Sequence, residues 1–198
     1  MCGKKLIGGI VLFVGMIFTL AGSWAQSGDC KTNKDTTLDE MQKAKYVGVA
    51  GCTCHMKQSL GNQYDVWIGT KHSRSWVVLQ SLDARKLAKK MGIKGEPQQS
   101  PACLKCHGSA VSLDTLCMEA TFHIEDGVQC ETCHGPASQH VAIKMGQKIA
   151  APMKLKIPTK EDCMMCHKEK KSHEMLNKKK FNIDKAWKKI LHPIPKSK

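Results

Sequence analysis

Three short segments of this chain repeat one pattern. Cys103-Leu-Lys-Cys106-His107, Cys130-Glu-Thr-Cys133-His134 and Cys163-Met-Met-Cys166-His167 each hold two thiols three residues apart, with an imidazole directly after the second. A fourth segment, Cys52-Thr-Cys54-His55, ends in the same way but has one spacer residue fewer. Structural zinc favours two Cys-x-x-Cys pairs, or one such pair with a spaced His pair. A thioredoxin-type dithiol occurs once, beside a βαβ pattern, and needs no adjoining His. A His placed immediately after the second Cys is instead the signature of covalently attached haem. The thiols add to the two vinyl groups, and the His becomes the proximal ligand of the iron.

Four haem c groups are therefore expected. Their covalent attachments are Cys52, Cys54, Cys103, Cys106, Cys130, Cys133, Cys163 and Cys166, and their proximal ligands His55, His107, His134 and His167. The short first spacing strains a double thioether bridge and leaves attachment through Cys54 alone open. Beyond the N-terminal segment, Cys30 and Cys117 are the cysteines outside the motifs, and they could form one disulfide.

Four irons need sixth ligands, and five further histidines exist: His72, His123, His140, His173 and His192. Gly135-Pro136 stops the helix that carries His134, which frees His140 to point toward a neighbouring haem. His72 stands at the entry of a helical stretch expected over 73–91, with Gly92 as its C′ residue. His192 follows an amphipathic helix capped by Asn182, with Ile183, Ala186, Trp187, Ile190 and Leu191 on one stripe. That helix reads first as core packing, and the packing would fix His192 beside a haem edge. His123 and His173 rank behind these three. His123 lies in TFHIEDGV, which alternates like a short strand, and His173 lies in a lysine-rich, solvated loop. Met118 and Met153 are available sulfur ligands, although Met more often serves as packing.

The elements that must position these groups are preceded by an export signal. Lys4 and Lys5, an apolar run from Leu6 to Leu20 and a Ser23-Trp24-Ala25 site predict a signal peptide over 1–25, with an uncleaved membrane anchor as the competing reading. Residues 26–198 then form one domain in the periplasm or outside the cell. Removing Lys4 and Lys5 leaves 29 basic against 17 acidic side chains, about +12. Eleven lysines fall in residues 163–198. An exported chain with no binding motif excludes nucleic acid as a partner. Eight ionised propionates would reduce the excess to about +4, which makes much of it internal compensation. Aromatic residues make up only 5% of the chain, and the mean hydropathy is −0.33. The porphyrins are accordingly expected to supply the apolar core.

Four stretches resemble the tetrahaem cytochrome c-554 family: YVGVAGCTCH (Tyr46–His55), WIGTKH (Trp67–His72), EDGVQCETCHGPASQH (Glu125–His140) and FNIDKAWKKILHPIP (Phe181–Pro195). The resemblance implies a mainly α, loop-rich multihaem fold wrapped round four haems in stacked and perpendicular pairs. It implies that His72, His140 and His192 are distal ligands of three bis-histidine haems. It also implies an open sixth position at the second haem, which His123 or His173 could fill here. Relatives in the family include subunits of extracellular filaments in which a neighbour donates a His.

Four haems in so short a chain suit electron transfer better than a single catalytic centre. The expected function is that of a periplasmic or extracellular multihaem c-type cytochrome that carries electrons between redox partners, an oxidoreductase or another cytochrome. Two alternatives stand beside it: a small nitrogen-oxide redox enzyme working at a five-coordinate second haem, and a self-assembling filament subunit. A membrane partner is expected only if the N-terminal segment is retained.

Overall fold

The computed structural model describes residues 44–176 and 180–194. The N-terminal segment read as signal or anchor, and Cys30, lie outside the described residues. Among the described residues there is no strand, only an isolated parallel bridge between Tyr46 and Met118. None of the described helices is long and apolar enough to cross a membrane.

The α-helices are short and follow one another through turns: α1 (Gly48–Gly51), α2 (Gln63–Ile68), α3 (Leu82–Lys90), α4 (Pro101–His107), α5 (Cys130–His134), α6 (Ser138–Lys144), α7 (Lys160–Cys163), α8 (Lys171–Glu174) and α9 (Ile183–Ile190). This is the mainly α, loop-rich class that the sequence predicts.

Local chemistry sets the boundaries. In α3 the Ser81 hydroxyl accepts from the Ala84 N–H at 3.2 Å. At its other end Gly92 adopts φ +72°, and the Ile93 N–H returns to the Ala88 carbonyl at 2.9 Å. That closure needs a left-handed residue, which Gly supplies without strain. In α9 the Asn182 side chain accepts from the Lys185 N–H at 2.9 Å, the cap read from the sequence. Helix α5 stops at Gly135, with φ +84°.

Two expected elements differ. The helix predicted over 73–91 is divided into 3-10 turns at His72–Arg74 and Val77–Gln80, followed by α3. The Ser73 hydroxyl donates to the Ile68 and Thr70 carbonyls, and Ser75 donates to His72 and His107, so hydroxyls compete with helical bonding. Ser81 is extended at ψ 152° and restarts the chain as a cap. The strand expected around His123 is a 3-10 turn, Ile124–Asp126, because the Gly127 N–H bonds back to Ile124.

The interior is unusually polar. Buried apolar residues such as Val47, Trp67, Leu79, Leu104 and Val128 are dispersed, while Gln129, Glu131 and Ser109 are almost wholly inaccessible. Each of the three is hydrogen-bonded. Gln129 accepts from the Val49 N–H at 2.7 Å and donates to the His123 carbonyl at 2.7 Å. The Ser109 hydroxyl donates to Gly127 and accepts from the Gln129 N–H. This polar knot fastens the first described segment to the third Cys-x-x-Cys-His motif.

Candidate functional site: four histidine pairs

Each Cys-x-x-Cys-His motif is built on one helical turn, which places both thiols on the same face. Motif two lies on α4 and motif three on α5. Motif four leaves α7, and the His167 N–H closes back on the Cys163 carbonyl at 2.9 Å. Site one closes differently. His55 lies on a 3-10 turn, Thr53–Met56, and its N–H bonds to the Cys52 carbonyl at 3.0 Å. The tighter turn absorbs the missing spacer residue: three steps return His55 to Cys52 as four return His167 to Cys163. The eight motif cysteines are all free thiols. Cys117 is buried and disulfide-bonded, to a partner outside the described residues.

The histidines of the four motifs do not stand alone. The His55 ring centre lies 6.3 Å from that of His140. His72 and His167 are 5.8 Å apart, and His134 and His192 are 5.9 Å apart. His107 and His173 are 6.1 Å apart, with ring planes within 3° of parallel. Every motif histidine thus faces one histidine from outside the motifs. A metal bonded to two imidazoles at about 2.0 Å, with roughly 1.1 Å from each ring nitrogen to its centre, separates the centres by about 6.2 Å. The observed separations fit an iron between the rings.

Three of the four motif histidines are also oriented from behind. Nδ1 of His55 pairs with Gln63 Oε1 at 3.0 Å, that of His107 with the Ser75 carbonyl at 2.7 Å, and that of His134 with the Lys156 carbonyl at 2.8 Å. A donor bond from Nδ1 fixes the tautomer and leaves Nε2 to bind metal. Gln63 also donates to the Pro193 carbonyl at 2.8 Å, and so links the back of site one to the residue after His192. Burial pushes His72, His134, His140 and His167 below the ordinary imidazole range, and neighbouring histidines push each further down. Neutral imidazole is the ligating form. Phe181 stacks on His167 with ring centres 4.0 Å apart.

The sites follow one another in space in the order one, three, four, two. Glu131 of motif three accepts from the Val47 and Gly48 N–H groups just before Cys52, which joins site one to site three. The Lys156 N–H donates to the His134 carbonyl at 2.8 Å and its ammonium pairs with Asp162 on α7, which joins three to four. The Cys166 thiol donates to the Lys105 carbonyl at 3.7 Å, joining four to two, and burial pushes that thiol up to about 12.

His123 takes no part in a ring pair. It is exposed, and its carbonyl accepts from Gln129. His173 is exposed as the lysine-rich context predicts, yet it lies on α8 with its ring against His107. Met118 forms the bridge to Tyr46, and the Met153 N–H donates to Gln139. Sequence reasoning missed Gln63, Ser75, Lys156 and Phe181, because nothing in a linear pattern marks a carbonyl or amide behind a ligand.

Residues 50–135 match the family model described as Cytochrome c554 and c-prime. This range is less than half of the chain; it holds the first three motifs and His72, and in it the chain is similar to that cytochrome family. A cytochrome c of this kind is a haem c electron-transfer protein. No curated protein and no solved structure matches the chain.

Proposed function

We propose that this chain is a tetrahaem c-type cytochrome that carries electrons between redox partners outside the cytoplasmic membrane. The observation that carries the reading is the fourfold pairing of a motif histidine with a second histidine at 5.8–6.3 Å. His55 and His140 would hold the iron of site one, His107 and His173 that of site two, His134 and His192 that of site three, and His167 and His72 that of site four. The donor set fits haem chemically: paired thiols on one helical face, neutral imidazoles, and Nδ1 groups already committed to acceptors. The indole N–H of Trp76 is buried without a partner, next to the residue whose carbonyl orients His107, and so offers a donor to a bound polar group.

Haem c supplies reversible one-electron exchange between ferric and ferrous iron. The chain contributes spacing and protection. With two histidines placed to hold each iron, no ligand position would be left for substrate, which favours electron transfer over substrate binding. The enzyme reading needs an open position at site two, where His173 faces His107. The contacts between neighbouring sites would set the four groups in one row, with sites one and two at its ends. In this reading the haems form the core that the dispersed apolar residues do not.

Pyridine haemochrome assay of the purified, matured protein is expected to give four haems per chain. His140→Ala is expected to convert one haem to high spin while all four stay attached. A count below four, or an unchanged low-spin spectrum in the variant, contradicts the proposal.

A further inference from the structure

Glu131, inside the third motif, is 2% exposed. Its Oε1 accepts from the N–H groups of Val47 at 3.0 Å and Ala137 at 2.7 Å, and its Oε2 from that of Gly48 at 2.7 Å. All three partners are donors, so the carboxylate form is the one the pocket is built to receive. Backbone dipoles carry no net charge, however, and none of the ion pairs among the described residues includes Glu131. The anion's field is therefore uncancelled. It reaches a thiol in each of sites one and three, adding to the influences that push up Cys52 and opposing the lowering of Cys130 by its hydrogen bond. Burial is the larger influence and leaves the Glu131 carboxyl above its ordinary range, although the N–H groups of Val47, Ala137 and Gly48 pull it down.

In the other two Cys-x-x-Cys-His motifs the same position is apolar. It is Leu104 in site two, 8% exposed, and Met164 in site four, 45% exposed. The next position is Lys105 in site two and Thr132 in site three. The molecule thus places a buried carboxylate between sites one and three and an exposed positive side chain at site two.

We propose that Glu131 is a tuning residue: a buried carboxylate, held by three backbone N–H donors, whose charge keeps the haems of sites one and three at lower potential than those of sites two and four. The inference rests on the haem assignment above. Reduction adds one electron to each iron, ferric to ferrous, and no bond forms or breaks at Glu131. A nearby anion stabilises the more positive ferric state. One elementary charge about 10 Å from an iron, at an effective permittivity of about 20, changes the ferric–ferrous equilibrium by on the order of tenfold.

The test is a spectroelectrochemical titration with dithionite, comparing the wild type with Glu131→Gln and Glu131→Asp, after haem count and low-spin signals have been recorded for each. The Gln variant is expected to raise the two lowest midpoints by roughly tenfold in equilibrium constant, about 59 mV for one electron. The Asp variant, which keeps the charge and shortens the reach, is expected to leave them in place. Unchanged midpoints in a four-haem Gln variant overturn the proposal, as do equal shifts in both variants, which would indicate a purely structural effect. If the Gln variant does not mature, haem-resolved NMR of the partly reduced wild type decides. Sites one and three reduced last supports the proposal, and any other order overturns it. A wild-type count below four would instead refute the haem assignment itself, and the two failures stay distinct.

Discussion

The two ends of the row are built in opposite ways. Sites one and three are joined by buried polar bonds of long sequence range, from Glu131 to Val47 and Gly48 and from Gln129 to Val49, and by the half-buried bonds of Gln63 to His55 and Pro193. Site two takes its second histidine from α8, a four-residue helix in a lysine-rich segment. The residues after α8, Met175 and Leu176, line a shallow cleft with Asp83, Lys86, Leu87 and Lys90 of α3. Buried networks with every polar group satisfied are rigid, whereas short exposed elements open locally at little cost. One end is therefore fixed by the polypeptide, and the other is closed by a segment that can yield.

The largest effect should come from emptying the fixed end. Glu131→Ala strands three buried N–H groups and is expected to cost about 3–6 kcal/mol, read as a fall in thermal or denaturant midpoint. A loss below about 1 kcal/mol would show that the network is not what holds site one to site three.

The next effect is spectroscopic. His173→Ala should leave four haems attached and turn only the haem of site two high-spin, with little loss of stability. Added imidazole should restore the low-spin signal. In the wild type, cyanide should bind ferric site two before the others, because displacing α8 disturbs the least buried structure. Cyanide binding first at site one would reverse the comparison.

Smaller changes sharpen it. Gln63→Leu removes the acceptor behind His55 and the donor to Pro193, and should cost about 1–3 kcal/mol while altering the spectra of sites one and three alone. Ser81→Ala removes the cap of α3, the helix behind the His173 segment, and should cost about 1 kcal/mol. Cyanide uptake at site two should then quicken. An unchanged rate would show that α3 does not support α8.

Much of this architecture was legible in the sequence wherever the governing interactions are local. The motifs, the Asn182 cap, the Gly92 terminus and the break at Gly135 all follow from neighbours within one or two turns. His72, His140 and His192 could be singled out because each follows a recognisable helix boundary or a family-like stretch. His173 could not be raised above the background of lysines, because its pairing with His107 depends on how α8 reaches α4. The reading of 73–91 as one helix failed because serine hydroxyls bond carbonyls that periodicity alone assigns to helix. Glu131 was visible only as a spacer residue. Its burial and its three donors come from segments more than eighty residues earlier and six residues later.

The most direct test of the central claim, four irons each held between two histidines of this chain, joins intact-mass analysis to ferric EPR on one matured sample. The account predicts the mass of the processed polypeptide plus four haem groups, and low-spin signals throughout. A mass carrying fewer haems, or a high-spin ferric signal from the undiluted wild-type protein, would contradict it.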